Sequence, residues 1–362
     1  MTADLAFTRL PHPALAAADV RAAVLADPGF GKTFTDHMVT IDWSEEAGWH
    51  NAVVAPYGPI ALDPAAAVLH YAQEIFEGLK AYRLGDGGTA LFRPEANARR
   101  FNASAERLAM PQLPEALFIE AIHQLLAVDG DWFPTVEGGS LYLRPFMIAT
   151  EAFLGVRPAK QYKFIVIASP AGNYFKSGAP AVSIWVSDYT RAAPGGTGAA
   201  KCGGNYAASL VPTAEAFARG HDQVLFLDAA EHKWIEELGG MNLFFVMADG
   251  SLITPPLGGT ILPGITRDSL LQLAREEGLT VREEGYSLDQ WRADAASGAL
   301  LEAFACGTAA VVTAVGKVAD PDSEFIVGSG GPGQMTSKLK NRLVAIQRGT
   351  APDSHGWMMR LG

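Results

Sequence analysis

Cysteine is scarce: only Cys202 and Cys306 occur in 362 residues, far apart and each among glycine and alanine. Two such thiols make no disulfide framework, and a reducing, cytoplasmic compartment is the expectation. Neither cysteine stands at metal-ligand spacing, and none of the eight histidines forms an H-x3-H pair, so no metal site is expected. Basic charge is in deficit as well, with 28 Lys and Arg against 39 Asp and Glu and a net charge of −11. That surface repels phosphate backbones, which argues against nucleic acid as a partner while allowing a small anion in a local basic pocket. Long apolar runs are missing too. The best stretch, "ALLEAFACGTAAVVTAV", is interrupted by Glu302 and Gly307, short of the roughly 18 uncharged residues of a membrane span. The opening "MTADLAFTRLPHPALAAADV" has an early Asp4 and no leader-like apolar run.

What remains is a globular composition, 49% hydrophobic and 19% charged, on a chain long enough for two domains. The expected division is a small N-terminal domain over 1–174, a connection over 175–188 and a larger C-terminal domain over 189–362. Short apolar runs between turn residues predict strands at 34–62, 140–150, 162–170 and 181–188. "PEANARRFNASAERLAM" and "PEALFIEAIHQLLAVDG" carry helical periodicity, the first opened by Pro94. "NYAASLVPTAEAFARG" reads as one helix ending at Gly220, and "NLFFVMADGSLITPP" as a hairpin around Asp249-Gly250. "GITRDSLLQLAREEG" is an amphipathic helix stopped at Gly278. Strands and helices alternate irregularly, which predicts α+β rather than a parallel wound sheet.

Four stretches carry chemistry. "GGTGAAKCGGNY" (195–206) surrounds Lys201 with five glycines and two alanines. It fails the Walker and dinucleotide patterns, since Cys202 follows the lysine and no strand–loop–helix register fits. A lysine that attacks a planar carbonyl needs such clearance. A solvated lysine on a flexible loop is the plainer alternative, and spacing does not decide between them. "WIEELGGMN" (234–242) is an exposed turn, or else a carboxylate aimed inward at a heterocyclic nitrogen. "TILPGITRDS" (260–269) puts the amides of Ile265 and Thr266 at a helix start, where a phosphate is favoured. "CGTAAVV" (306–312) offers the Thr308 hydroxyl. Arg100 and Arg107 share a face of the helix after "LFRP". A lysine nucleophile, a carboxylate, a helix N-terminus and an arginine together are what a pyridoxal-phosphate enzyme requires.

Seven ordered motifs, "HYAQEIFEGLKAYR" (70–83), "LFRPEANARRFNASAERLAMP" (91–111), "SLYLRPF" (140–146), "KCGGNYAASL" (201–210), "EELGGMNLFFV" (236–246), "ILPGITRDSLL" (261–271) and "FACGTAAVV" (304–312), resemble the branched-chain amino-acid aminotransferases. Those are fold-type IV pyridoxal-phosphate enzymes, and the resemblance runs over nearly the whole chain. It implies an α+β fold with a small N-terminal α/β domain and a larger C-terminal domain built on a mixed, barrel-like sheet. It also implies ping-pong transfer of the amino group of leucine, isoleucine or valine to 2-oxoglutarate, giving branched 2-oxo acids and glutamate.

By the same resemblance, Lys201 holds the cofactor and moves the proton. Glu237 keeps the pyridine nitrogen protonated and Tyr206 bonds the phenolic oxygen. Arg100, the amides of Ile265 and Thr266, and Thr308 form the phosphate cup. Phe76, Tyr142, Tyr174 and Gly240 line the apolar pocket, Arg144 pairs with the distal carboxylate of glutamate, and the backbone at Thr308-Ala309 grips the substrate α-carboxylate. Tyr71 reaches into a neighbouring subunit's pocket, which implies a homodimer. The Cys-x-x-Cys of mammalian members is replaced by Ala310 and Thr313, so no thiol switch is expected. D-amino-acid aminotransferase, aminodeoxychorismate lyase and a non-catalytic ligand-binding relative are the alternatives to this reading.

Overall fold

A computed structural model describes residues 5–172 and 181–361. The chain divides into two compact units, residues 1–176 with Ala200–Gly203 and Gln347–Gly362, and Ser177–Ala199 with Gly204–Ile346. The first unit thus joins the N-terminal half to two segments from further along the chain. The chain end returns to it: strand Met358–Leu361 pairs antiparallel with Thr89–Phe92. The expected connection 175–188 contains strand Ala181–Val186, which lies inside the second unit's sheet.

In the first unit, one sheet runs Thr8–Arg9, Gly48–Pro56, His37–Ser44, Gln161–Ala171, Ser140–Ala149, Leu79–Arg83, Thr89–Phe92, Met358–Leu361, with Glu74–Phe76 also on Ser140–Ala149. Every pairing is antiparallel except the first. Helices Pro94–Arg107 and Glu115–Asp129 cover it. Proline suits the first position because the missing N–H has no intrahelical partner there. Spacing of three and four brings Asn97, Ala98, Phe101, Ser104 and Ala105 to the buried face. Phe101, Phe118 and Phe164 meet with ring centroids 5.5 to 5.9 Å apart, each buried ring contributing about 1.5–3 kcal/mol.

The second sheet runs Ile235–Leu238, Gln223–Leu227, Ala181–Val186, Val311–Ala319, Leu300–Gly307, Asn242–Met247, Ser251–Thr254, Thr280–Glu283, with Glu324–Ile326 on Val311–Ala319. It is mixed: Ala181–Val186 is parallel to both neighbours, and Ser251–Thr254 is parallel to Thr280–Glu283. Its central strands read as unbroken apolar runs because both faces are covered. Phe244 stacks on Phe304 at 5.0 Å, and Phe245 meets the fully buried Trp291 at 4.9 Å. The expected hairpin forms, with Gly250 at φ +82° and Asp249 accepting from the Ser251 amide and hydroxyl.

"NYAASLVPTAEAFARG" is not one helix but two, Gly203–Ala207 and Leu210–Ala218. The break falls at Ser209, whose hydroxyl donates to the Tyr206 carbonyl at 2.7 Å. Pro212, with no N–H, suits the first turn of the second piece. "WIEELGGMN" is no exposed turn either: Ile235–Leu238 is a strand with all four residues buried.

Candidate active site

In the first unit the site is built around Lys201. Two hydrogen bonds hold its backbone, its N–H donating to Ser104 Oγ at 2.9 Å and its carbonyl accepting from the Phe76 N–H at 2.9 Å, and two residues on, the Gly203 N–H donates to the Glu74 carboxylate. A Cβ on Gly203 would lie 2.0 Å from Glu74 Oε1, so this glycine is needed for the contact. The Lys201 Nζ lies over the Phe76 ring, 4.7 Å from its centroid. Burial pulls the amine's pKa down to about 8, with the Arg100 guanidinium adding to the shift and the Glu77 carboxylate opposing it.

Arg100 donates to both oxygens of Glu77, from Nε at 2.7 Å and from Nη2 at 2.8 Å. Glu77 is fully buried and also accepts from Asn97 Nδ2 at 2.8 Å and the Gly78 N–H at 3.1 Å. Burial would raise its pKa, but Arg100, Lys201 and Asn97 outweigh that and hold it below the usual carboxylate range. Arg99, by contrast, points outward to Glu115, and Arg107 is exposed.

Beside them, Arg144 donates to Tyr142 Oη at 3.1 Å, with its guanidinium 4.8 Å from the centre of the Phe76 ring. Phe30 meets Tyr142 edge-on at 5.0 Å. A cavity of about 350 Å³ opens here, lined by Phe30, Phe34, Tyr142, Arg144, Ile167 and Ser169. Mostly apolar walls with one arginine suit a ligand with an apolar body and one anionic end.

In the second unit the site is built around Glu237. Its carboxylate forms an ion pair with Arg191, both side chains 4% exposed, and accepts the Leu262 N–H at 3.2 Å. Its neighbour Glu236 takes the Thr260 hydroxyl instead, and burial raises its pKa. Adjacent buried acids thus differ in their partners: the Arg191 guanidinium touches Glu237 and reaches Glu236 only through space.

Helix Ile265–Glu276 begins after Gly264, an N-cap without a side chain to occupy the first amides. A Cβ there would sit 2.0 Å from Asn242 Oδ1. Asn242 pairs with Cys306, and a Cβ on Gly307 would lie 3.6 Å from the Gly240 carbonyl. Gly240 in turn faces Tyr206, 3.8 Å from such a Cβ to Cε1. Glu237, Tyr206, Gly240, the start of the helix at Ile265 and Thr266, and the Thr308-Ala309 turn therefore share one end of this sheet. The glycine-rich stretch has a second use here: a Cβ on Gly198 would fall 2.4 Å from the Thr260 carbonyl oxygen.

Residues 74–318 match the family described as amino-transferase class IV. The chain belongs to the class IV aminotransferases. This class IV aminotransferase is 59% identical over 347 residues to the branched-chain-amino-acid aminotransferase of Mycolicibacterium smegmatis, covering 94% of each chain. It is 48% identical over 335 residues to branched-chain-amino-acid transaminase 1 of Bacillus subtilis, covering 92% of this chain and 94% of that one. Among solved structures, the branched-chain amino acid aminotransferase of Escherichia coli is similar with a TM-score of 0.75 at 29% identity, covering 89% of this chain and 99% of that one. A T.th. branched-chain amino acid aminotransferase solved with pyridoxamine 5'-phosphate gives 0.74 at 29%, covering 89% and 98%. The α+β fold is the fold-type IV fold of these structures.

Of the residues read from the sequence, the first unit gathers Lys201, Arg100, Phe76, Tyr142 and Arg144. The second gathers Glu237, Tyr206, Gly240, Ile265, Thr266, Thr308 and Ala309. Tyr71 stands apart, 39% exposed, its hydroxyl donating to the Leu154 carbonyl. Tyr174 lies outside the described residues. Sequence reading missed Glu77, Arg191 and Phe30. Arg191 carried a usable signal in "DYTRAAPGG": it is an arginine among small residues, as Lys201 is. Phe30 carried none, because it joins Tyr142 through tertiary packing alone.

Proposed function

We propose that this class IV aminotransferase is a branched-chain amino-acid aminotransferase that binds pyridoxal 5'-phosphate and passes the amino group of leucine, isoleucine or valine to 2-oxoglutarate. The observation that carries the reading is the Lys201 amine. With its pKa near 8, about a tenth is neutral at pH 7, against about three in ten thousand for an ordinary lysine. Only a neutral amine condenses with an aldehyde, so this lysine fits the cofactor.

The other residues fit as well. Arg100, the helix start at Ile265 and Thr266, and the Thr308 hydroxyl would hold the phosphate. Glu237, ionised beside Arg191, would hold a proton on the ring nitrogen, and Tyr206 would donate to the phenolic oxygen. When bound, the cofactor supplies an electron sink for the charge left at the substrate Cα. Lys201 would take up the substrate Cα proton on its Nζ and hold it for return. Phe76, Tyr142, Phe30 and Gly240 would exclude water from the substrate side chain. Arg144 would receive the distal carboxylate of glutamate, so that one pocket accepts an apolar and an acidic side chain in turn. The backbone at Thr308-Ala309 would grip the substrate α-carboxylate.

A cytoplasmic homodimer belongs to the same proposal. Leu69, Tyr71, Phe153, Leu154 and Val156 are all exposed, Val156 at 87%. Such apolar residues around Tyr71 fit a subunit interface through which Tyr71 serves the neighbouring pocket. No helix among the described residues is long and apolar enough to cross a membrane.

Turnover of L-leucine with 2-oxoglutarate, with D-alanine as the control donor, tests the reading. Lys201→Ala should lower kcat by at least about a thousandfold. Near-normal turnover in Lys201→Ala, or a preference for D-alanine, overturns it.

A further inference from the structure

We infer that Arg191 is a positioning residue that keeps the Glu237 carboxylate ionised and fixed in direction. The inference rests on the reading of Glu237 as the acid at the ring nitrogen. Arg191 is 7% exposed and lies between strand Ala181–Val186 and the glycine-rich stretch. Besides Glu237, its Nη2 donates to the Thr260 carbonyl at 2.5 Å and the Gly198 carbonyl at 3.3 Å, while its Nε is buried without a hydrogen-bond partner. Burying a guanidinium is costly unless its charge is matched, and Glu237 matches it.

The need for that charge is visible one residue away. Glu236 sits on the same buried strand, and burial raises its pKa even though Arg191 opposes this from a distance; Glu237 has that guanidinium in direct contact. An acid that must hold a ring proton has to stay ionised through the working pH range. Asp228 follows the Gln223–Leu227 strand and adds negative charge near Glu236, Asp268 on the helix after Gly264 bonds Gln272, and Arg267 on that helix is turned to Glu283 and the Pro255 carbonyl. The two backbone acceptors of Arg191 fix the guanidinium, and the guanidinium fixes the carboxylate. Close approach of Gly198 to the Thr260 backbone makes that three-way contact possible.

The test compares Arg191→Gln, Arg191→Lys, Glu237→Gln and the double variant Arg191→Gln/Glu237→Gln. Two readouts are taken across the acid range: kcat and KM for L-leucine, and the affinity of the cofactor-free protein for pyridoxal phosphate from tryptophan-fluorescence quenching. Arg191→Gln should move the acid limb of both profiles up by about one to three pH units. It should lower kcat about 10- to 100-fold with little change in KM. Arg191→Lys, which keeps the charge, should restore most of the shift, and the double variant should be no worse than Glu237→Gln alone.

An unshifted acid limb in Arg191→Gln, or losses that add in the double variant, would overturn the inference and leave Arg191 a structural tie. If Glu237→Gln itself changes neither profile, the reading of Glu237 falls, and this inference with it. If Arg191→Gln does not fold, Arg191→Lys decides: its failure to retain the wild-type acid limb in a folded protein counts against the inference, and retention supports it.

Discussion

Lys201 and Glu77 are opposite solutions to the same desolvation. Glu77 stays ionised because Arg100 grips both of its oxygens, whereas Lys201 feels burial and Arg100 together and loses its proton more readily. A lysine whose folded pKa is about 8 against an ordinary 10.5 binds fewer protons than the unfolded chain between those values. Stability of the cofactor-free protein therefore rises with pH across that window, and the full penalty stands below it. Lys80, also lowered to about 8 by burial, acts in the same window, so the contribution must be read as a difference. Relative to wild type, cofactor-free Lys201→Met should gain about 3 kcal/mol below pH 8, and the gain should fade towards pH 10.5, by urea unfolding. A gain independent of pH would show that the amine is not desolvated. Gly78 gives a second residue-scale prediction, because a Cβ there would lie 2.1 Å from Tyr142 Oη. Gly78→Ala should lower kcat/KM for leucine about tenfold, and Tyr142→Phe in the same chain should recover part of it by removing the oxygen. Steady-state kinetics on the three variants check this.

At the scale of elements, the helix from Pro94 to Arg107 was legible because propensity, a first-turn proline and a 3.6-residue period agree with its tertiary setting. Ile235–Leu238 was not. Two glutamates before Gly-Gly left an exposed turn and an inward carboxylate equally open, and partners distant in sequence, Arg191, Thr260 and the Leu262 amide among them, make those acids tolerable in a buried strand. The break at Ser209 was hidden for a related reason, since it depends on one hydroxyl returning to a carbonyl. The roles proposed for Lys201, Arg100 and Tyr142 rest on ordered motifs, because spacing alone leaves each an ordinary residue. Helix Gln334–Gln347 shows the same dependence on a remote partner. Its first amides, Met335 and Thr336, donate at 2.9 and 2.7 Å to Glu302 on strand Leu300–Gly307. Glu302→Ala removes the acceptor and should cost about 1–2 kcal/mol in urea unfolding without changing KM for leucine. A neutral result would mean that water serves those amides equally well.

At the scale of the whole molecule, the first unit is completed by residues far along the chain, and this bears on the site. Trp357 precedes the closing strand, meets Phe92 at 5.7 Å, and accepts the Arg93 N–H on its carbonyl at 2.7 Å. Arg93 holds a left-handed φ of +50° and its guanidinium lies 5.3 Å from the Trp357 ring. That residue is the N-cap of the helix carrying Arg100 and Ser104, and Ser104 accepts the Lys201 N–H. A line of direct contacts therefore runs from the closing strand to the backbone of Lys201, all within one unit. Trp357→Ala should cost about 3–5 kcal/mol through lost packing. It should also weaken the affinity of the cofactor-free protein for pyridoxal phosphate, because a strained αL residue persists only where its surroundings hold it. Trp357→Phe keeps the ring packing and the carbonyl, and should lose far less of both. Urea unfolding and a cofactor titration on the two variants separate the effects. If Trp357→Ala is destabilised yet binds pyridoxal phosphate as wild type does, the helix keeps its start without the tryptophan, and the closing strand serves stability alone.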